Sequence, residues 1–169
     1  MKATIIPVML LLFLFCSYKP IEKEIFPYRP VLMERSTLEQ SISFLETKNI
    51  EKPGKIYIYG TFLFVNEKFH GIHIYDNKDP SNPIKKGFIR IPGCIDMAVK
   101  DNTLYADNAV DLVAIRLIDI QSGNVSVTKR ITNVFPEIFP PNQEYLPFEF
   151  QAENRPENTI IVNWEKISQ

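Results

Sequence analysis

Little in this 169-residue chain resembles the usual chemistry of sites. It has two cysteines, two histidines, one tryptophan and six glycines. Two cysteines cannot make a disulfide framework of the kind that staples small secreted domains. Six glycines are too few to cradle phosphates and also form the turns, and neither a P-loop, a Rossmann fingerprint nor a G-x-S-x-G elbow is present. Two histidines without a third, and without H-E-x-x-H spacing, leave zinc hydrolysis short of ligands. No excess of one charge exists: 19 basic and 20 acidic side chains give a net charge of −1, which disfavours nucleic-acid binding by bulk positive charge. The single apolar run is short, which excludes a polytopic membrane protein. What is present is globular: 45 % apolar and 23 % charged residues. Thirteen prolines and 12 % aromatics point to strands and turns, so the expected class is mostly β.

The apolar run follows Met1 and Lys2 and extends from Ile5 to Phe15. A helix of that length spans roughly 16 Å, about half a bilayer core, so it reads as a secretory signal over residues 1–15 rather than a membrane span. Cys16 and Ser17 follow it and resemble the processing site of bacterial lipoproteins, with Phe15 where such signals carry a small residue. The resemblance implies lipid on Cys16, a membrane partner through that anchor, and a place in the cell envelope, at the outer membrane or in the periplasm. Cys94, inside an apolar stretch and lacking a catalytic signature, reads as a small buried thiol.

Residues 16–53 are expected to be a lipidated arm and a short helix. Pro20, Pro27 and Pro30 keep the arm extended. Ser36 and Glu39 have capping-box spacing, and Leu38, Ile42 and Leu45 recur on one helical face. From residue 54 the period becomes that of strands. Expected strands cover 55–59, 61–66, 71–76 and 84–91, then 95–99, 103–106, 112–119 and 125–131, with turns such as Asp76 to Pro83 and Lys100-Asp101-Asn102 between them. Residues 134–169 form a Pro-rich acidic tail with one last strand, Thr159–Trp164, whose Ile160, Val162 and Trp164 alternate on one face.

The order of strands repeats. Leu63 corresponds to Leu104 and Ile74 to Ile115, while Asp76 corresponds to Asp119. Four short strands per unit of about 40 residues is the arithmetic of a propeller blade. Ile72-His73-Ile74-Tyr75-Asp76, followed by Asp79-Pro80-Ser81-Asn82-Pro83, resembles the LVIVD repeat, and Leu112-Val113-Ala114-Ile115 is a looser copy. The resemblance covers residues 54–133. It implies two propeller-blade-like antiparallel repeats in a secreted or surface-associated bacterial protein, with no catalytic residues. Two blades do not close a ring, so the helix, the arm and the tail are expected to cover the open edges, or other copies in a homo-oligomer.

Candidate binding residues are His70, His73, Asp107 and Asp111, with the loops Glu67–Gly71 and Asn108–Asp111 as the expected binding face. The odd spacing of His70 and His73 sends them to opposite faces of a strand. Asp101, Asp107, Asp111 and Asp119 match no EF-hand, and neither metal nor cofactor is expected. Tyr57, Tyr59, Phe62 and Phe64 read as core packing, with stacking on sugars as the alternative. These features favour a non-enzymatic interaction module with a protein or glycan ligand and no nucleic-acid partner. The alternatives are an extracellular hydrolase or lyase using Asp107 and Asp111, and a structural remnant that self-assembles.

Overall fold

The computed structural model describes residues 26–141 and 143–167; residues 1–15, expected to be a signal, and Cys16 lie outside the described residues. The fold is mostly β and antiparallel. In chain order it contains β1 (Tyr28–Glu34), α1 (Arg35–Glu39), β2 (Ser43–Leu45), β3 (Pro53–Tyr59), β4 (Phe62–Glu67), β5 (Gly71–Asp76) and β6 (Ile84–Arg90). These are followed by β7 (Met97–Lys100), β8 (Thr103–Asn108), β9 (Asp111–Arg116), α2 (Leu117–Gln121), β10 (Val127–Ile131) and β11 (Thr159–Lys166). Among the described residues no helix is long and apolar enough to cross a membrane.

The repeat is real at the level of strands. β3 to β6 form one four-stranded meander, and β7 to β10 form a second. β2 adds a fifth strand beside β6, and β1 pairs with β11 as a separate two-stranded sheet. Turn chemistry sets the hairpins. Asp101 and Asn102 both have positive φ (+49° and +56°) between β7 and β8, the backbone that suits a two-residue turn joining twisted strands. Phe64 pairs with Ile74 and Leu104 with Ile115, and all four are buried in one core shared by the two meanders. The true counterpart of Leu104 is therefore Phe64 rather than Leu63, which is only half-buried. The two meanders are also tied at their edges. Lys55 Nζ donates to the Met97 carbonyl at 3.0 Å and pairs with Asp96 at 2.9 Å, while Tyr57 Oη donates to the Val99 carbonyl at 3.3 Å. Side chains of β3 thus occupy carbonyls on the outer edge of β7, which would otherwise stand open.

Several expectations are corrected. The helix ends at Glu39, because Leu38 and Ile42 serve different cores. Leu38 is buried beneath the β1–β11 sheet, whereas Ile42 and Phe44 pack on the main core. The amide and hydroxyl of Ser41 both bond to the Leu38 carbonyl (3.2 and 2.7 Å), and the chain leaves the helix to form β2. No capping box forms: Glu34 is the N-cap and makes no side-chain cap bond, and Glu39 instead accepts from Arg35 Nε at 3.1 Å. The arm is a paired strand from Tyr28 onward. β9 stops at Arg116, and the chain then makes the single turn α2, which buries Leu117 and Ile120. Asp119 therefore lies in that turn and pairs with Arg116 at 3.2 Å, whereas Asp76 accepts the Lys78 amide as a turn residue does. In β11 a register shift opposite Val31 and Leu32 breaks the alternation, so Ile161, Val162 and Trp164 are buried and Ile160 only partly. Of the tail aromatics, Phe150 packs edge-on against Trp164 at 5.3 Å, while Phe135, Phe139, Tyr145 and Phe148 stay exposed.

The ends of the meanders differ. The hairpins β4–β5 and β8–β9 lie at one end, and a second core covers them there, formed by Leu38, Ala109, Ile138, Ile161, Val162 and Trp164. Trp164 Nε1 donates to the Ile138 carbonyl at 2.9 Å and holds the tail on this plug. The turns β3–β4 and β7–β8 lie at the opposite end, without that cover. Gly71 begins β5 at φ +145°, and a Cβ added there would stand 1.9 Å from the Ile89 carbonyl oxygen of β6. Gly71→Ala should therefore cost at least about 3 kcal/mol, since backbone of the same sheet must move. Urea denaturation followed by circular dichroism measures it, and a midpoint equal to that of the natural chain would refute the packing described.

Candidate binding cleft

At the closed end, each meander buries one carboxylate. Asp111 begins β9 with a fully buried side chain. Arg35 meets it with both terminal nitrogens (3.0 and 2.8 Å), Arg130 Nη1 donates to it at 2.7 Å, and the Asn133 amide donates at 3.0 Å. The same Arg130 nitrogen donates to Asn108 Oδ1 at 2.8 Å. The guanidinium of Arg35 is held above its ordinary pKa: burial works against its charge, and the bonds to Asp111 and Glu39 outweigh it. In the first meander Glu67 is fully buried and faces His73 Nε2 at 3.0 Å. The amides of Glu51 and Lys52 also donate to Glu67. Burial opposes its charge, yet the bond from His73 and these amides hold its carboxyl below the usual range.

The residues expected to bind therefore divide. His73 and Asp111 are internal and fully engaged. Asp107 accepts the amides of Ile95 (2.8 Å) and Asp96 (2.9 Å), which is why β7 starts only at Met97; burial, opposed by these bonds, raises its pKa. Only His70 is exposed, and it lines a different concavity. Asn108 to Asp111 is buried throughout, whereas in Glu67 to Gly71 Lys68 and His70 are exposed and Phe69 is half-buried. Asp107 and Asp111 do not converge on a common pocket. Cys94 is a buried free thiol whose pKa burial pushes well up. Among the described residues no three His, Cys, Asp or Glu side chains gather as metal ligands.

The open end holds two adjoining concavities of about 550 and 440 Å³ that share Thr61, Phe62 and Gln121. Phe44 and Asp76 border the larger, and Tyr59 and Asn102 the smaller. Local sequence places these groups. Gly60 turns the chain at φ +58°, with nothing within 4 Å of where a Cβ would stand. Phe62 stacks on the buried Phe64, with ring centroids 5.6 Å apart, and so fixes its own ring at the cleft. Phe44 lies against Gly87, where a Cβ would meet its ring at 2.2 Å. Asp76 is the carboxylate of the larger cleft, flanked by Lys78 at 3.7 Å and Lys86 at 3.8 Å. The aromatic cluster seen in sequence is thus split: Phe64 is core, while Tyr59 and Phe62 reach the cleft. Phe44 and Gln121 carry no sequence signal, because a strand beside β6 and a single helical turn bring them there.

No family model, no curated protein and no solved structure matches this chain. The resemblance to the LVIVD repeat rests on its residues alone.

Asp111→Ala should cost about 3–5 kcal/mol, since two guanidiniums lose their shared counter-charge in a buried place. Thermal unfolding reads this directly; a change below about 1 kcal/mol would mean the network is dispensable. Glu67 adds a pH dependence. Its folded pKa is lowered, so the stability it contributes is complete above its unfolded pKa, about 4.3–4.5, and is lost as the pH falls through the folded value. The stability gap between the natural chain and Glu67→Gln should therefore shrink below about pH 4.5 and stay flat from there to pH 6.

Proposed function

We propose that this chain is a surface-anchored, non-enzymatic binding module of the cell envelope, held by lipid on Cys16, that takes a glycan in the double cleft at the open end. One observation carries the reading: the one carboxylate lining the cleft, Asp76, is met by Lys78 and Lys86, and the other candidate reactive groups lie elsewhere. Glu67, His73, Asp107, Asp111 and Cys94 are all engaged in folding, while the cleft presents aromatic rings beside amides and a hydroxyl. Such a surface suits a sugar. The ring of Phe62 or Tyr59 covers an apolar C–H face, and Gln121, Asn102 and Thr61 exchange hydrogen bonds with hydroxyls. The likeness of both meanders to LVIVD repeats supports a place outside the cell. A glycoside hydrolase of the usual kind would need two carboxylates facing one bond, and the buried engagement of Asp111 counts against that reading.

The expected result is retention of the full chain on at least one of a set of insoluble polysaccharides (cellulose, chitin, xylan, mannan and peptidoglycan), with no release of reducing sugar. Phe62→Ala with Gln121→Ala should weaken retention by about tenfold or more while the far-ultraviolet spectrum is unchanged, as loss of one stacking contact and one hydrogen bond requires. Retention on none of them, or equal retention of the double variant, would end this reading.

A further inference from the structure

A second concavity, at the closed end, has a different character. It lies between the β1–β11 sheet and the edge strand β2 with its neighbour β6, and holds about 320 Å³, near the lower bound of about 300 Å³ for small-molecule pockets. Its floor is apolar. Phe88 and Val162 are buried, and Phe69 is half-buried. Phe69 stands at φ +67°, a backbone that a bulky residue rarely adopts. The turn at 93–94 holds it there: its N–H donates to the Cys94 carbonyl at 2.7 Å, and its own carbonyl accepts the Gly93 N–H at 2.9 Å. This conformation sets the Phe69 ring against the second core and so closes one wall of the cleft.

The rim is cationic. Lys48 and Arg90 line it, beside His70, whose pKa is lowered by burial and by the nearby Lys48. Lys48 Nζ stands 4.7 Å from the centroid of the Phe88 ring, directly above the apolar floor. Neither Lys48 nor Arg90 has a carboxylate partner among the described residues. The carboxylate at the cleft, Glu165, is paired with Arg29 at 3.1 Å. Two uncompensated cations above an apolar floor complement one class of ligand, an acyl chain ending in an anion.

We propose that this cleft binds a medium-chain carboxylate from solution, its alkyl chain on Phe69, Phe88 and Val162 and its carboxylate between Lys48 and Arg90. The site is separate from the glycan cleft and does not depend on it. Titration calorimetry of the full chain with sodium decanoate tests it, with octyl glucoside supplying a chain without charge and acetate a charge without a chain. The expected result is saturable one-to-one binding of decanoate. Lys48→Gln with Arg90→Gln, both at the rim and outside the cores, should weaken it by about tenfold or more, and neither control should compete. Equal affinity in the double variant, or equal affinity for octyl glucoside, would overturn the assignment of the head group. A chain that ignores decanoate but co-sediments with phosphatidylcholine vesicles only when they contain phosphatidylglycerol would overturn it in favour of a lipid surface.

Discussion

The closed end of the molecule depends on one buried carboxylate. Asp111 has no exposed surface, and a charge in such a place is costly unless its lone pairs are all answered. Two guanidiniums and the Asn133 amide answer them. The partners come from separate parts of the chain. Arg35 begins the helix that follows β1, Arg130 lies on β10, and Asn133 opens the tail. A single carboxylate therefore fixes the N-terminal strand, the second meander and the C-terminal segment relative to one another. Arginine suits this role because its planar fork meets both carboxylate oxygens at once. Arg130 extends the grip by donating to Asn108 at the end of β8, across β9, and to the Glu39 carbonyl at the end of α1.

The first meander solves the same problem with other residues. Glu67 ends β4 at the closed-end hairpin of its repeat, the position Asn108 has in the second, whereas Asp111 stands across the equivalent hairpin at the start of β9. Glu67 too is buried and holds an incoming segment, here the amides of Glu51 and Lys52 just before β3. The counter-group is His73 on the adjacent strand β5, 3.0 Å away, rather than an arginine from a distant element. Each repeat thus sets one acid at its closed end and uses it to receive chain arriving from elsewhere. The open end carries no such carboxylate, and its groups remain available.

The meanders were legible in sequence because their signals are local. A period of two, glycine and Asp-Asn turns, and the dense turn after Asp76 act within a few residues. What was illegible depends on distant partners. The spacing of Leu38, Ile42 and Leu45 imitates a helix, although Leu38 and Ile42 are buried in two separate cores. The pairing of Tyr28 with Lys166 joins the two ends of the described chain, and no local pattern announces it. His73 and Asp111 stood out as chemistry because their neutralising partners, Glu67 on the preceding strand and Arg35 far upstream, cannot be read from spacing. Phe62 was visible as an aromatic, but only the stack on Phe64 shows that its ring is held at the surface rather than lost in the core.

That stack also gives the proposed glycan cleft its rigidity. A ligand gains from a ring only if the ring is already ordered, because freezing a mobile side chain costs about 0.5–1.5 kcal/mol. Phe62 is fixed from beneath by Phe64, and Phe44 by its contact with the Gly87 backbone. Gly60, by contrast, has nothing within 4 Å of where a Cβ would stand, so the turn above these rings is unobstructed. Rigid rings under an open turn are prepared for a partner. At the closed end the equivalent hairpins are already covered, by Leu38, Ile138 and Trp164 of the same chain. The molecule thus uses one end of its sheets to hold the two ends of the described chain, and leaves ordered aromatic rings at the surface of the other.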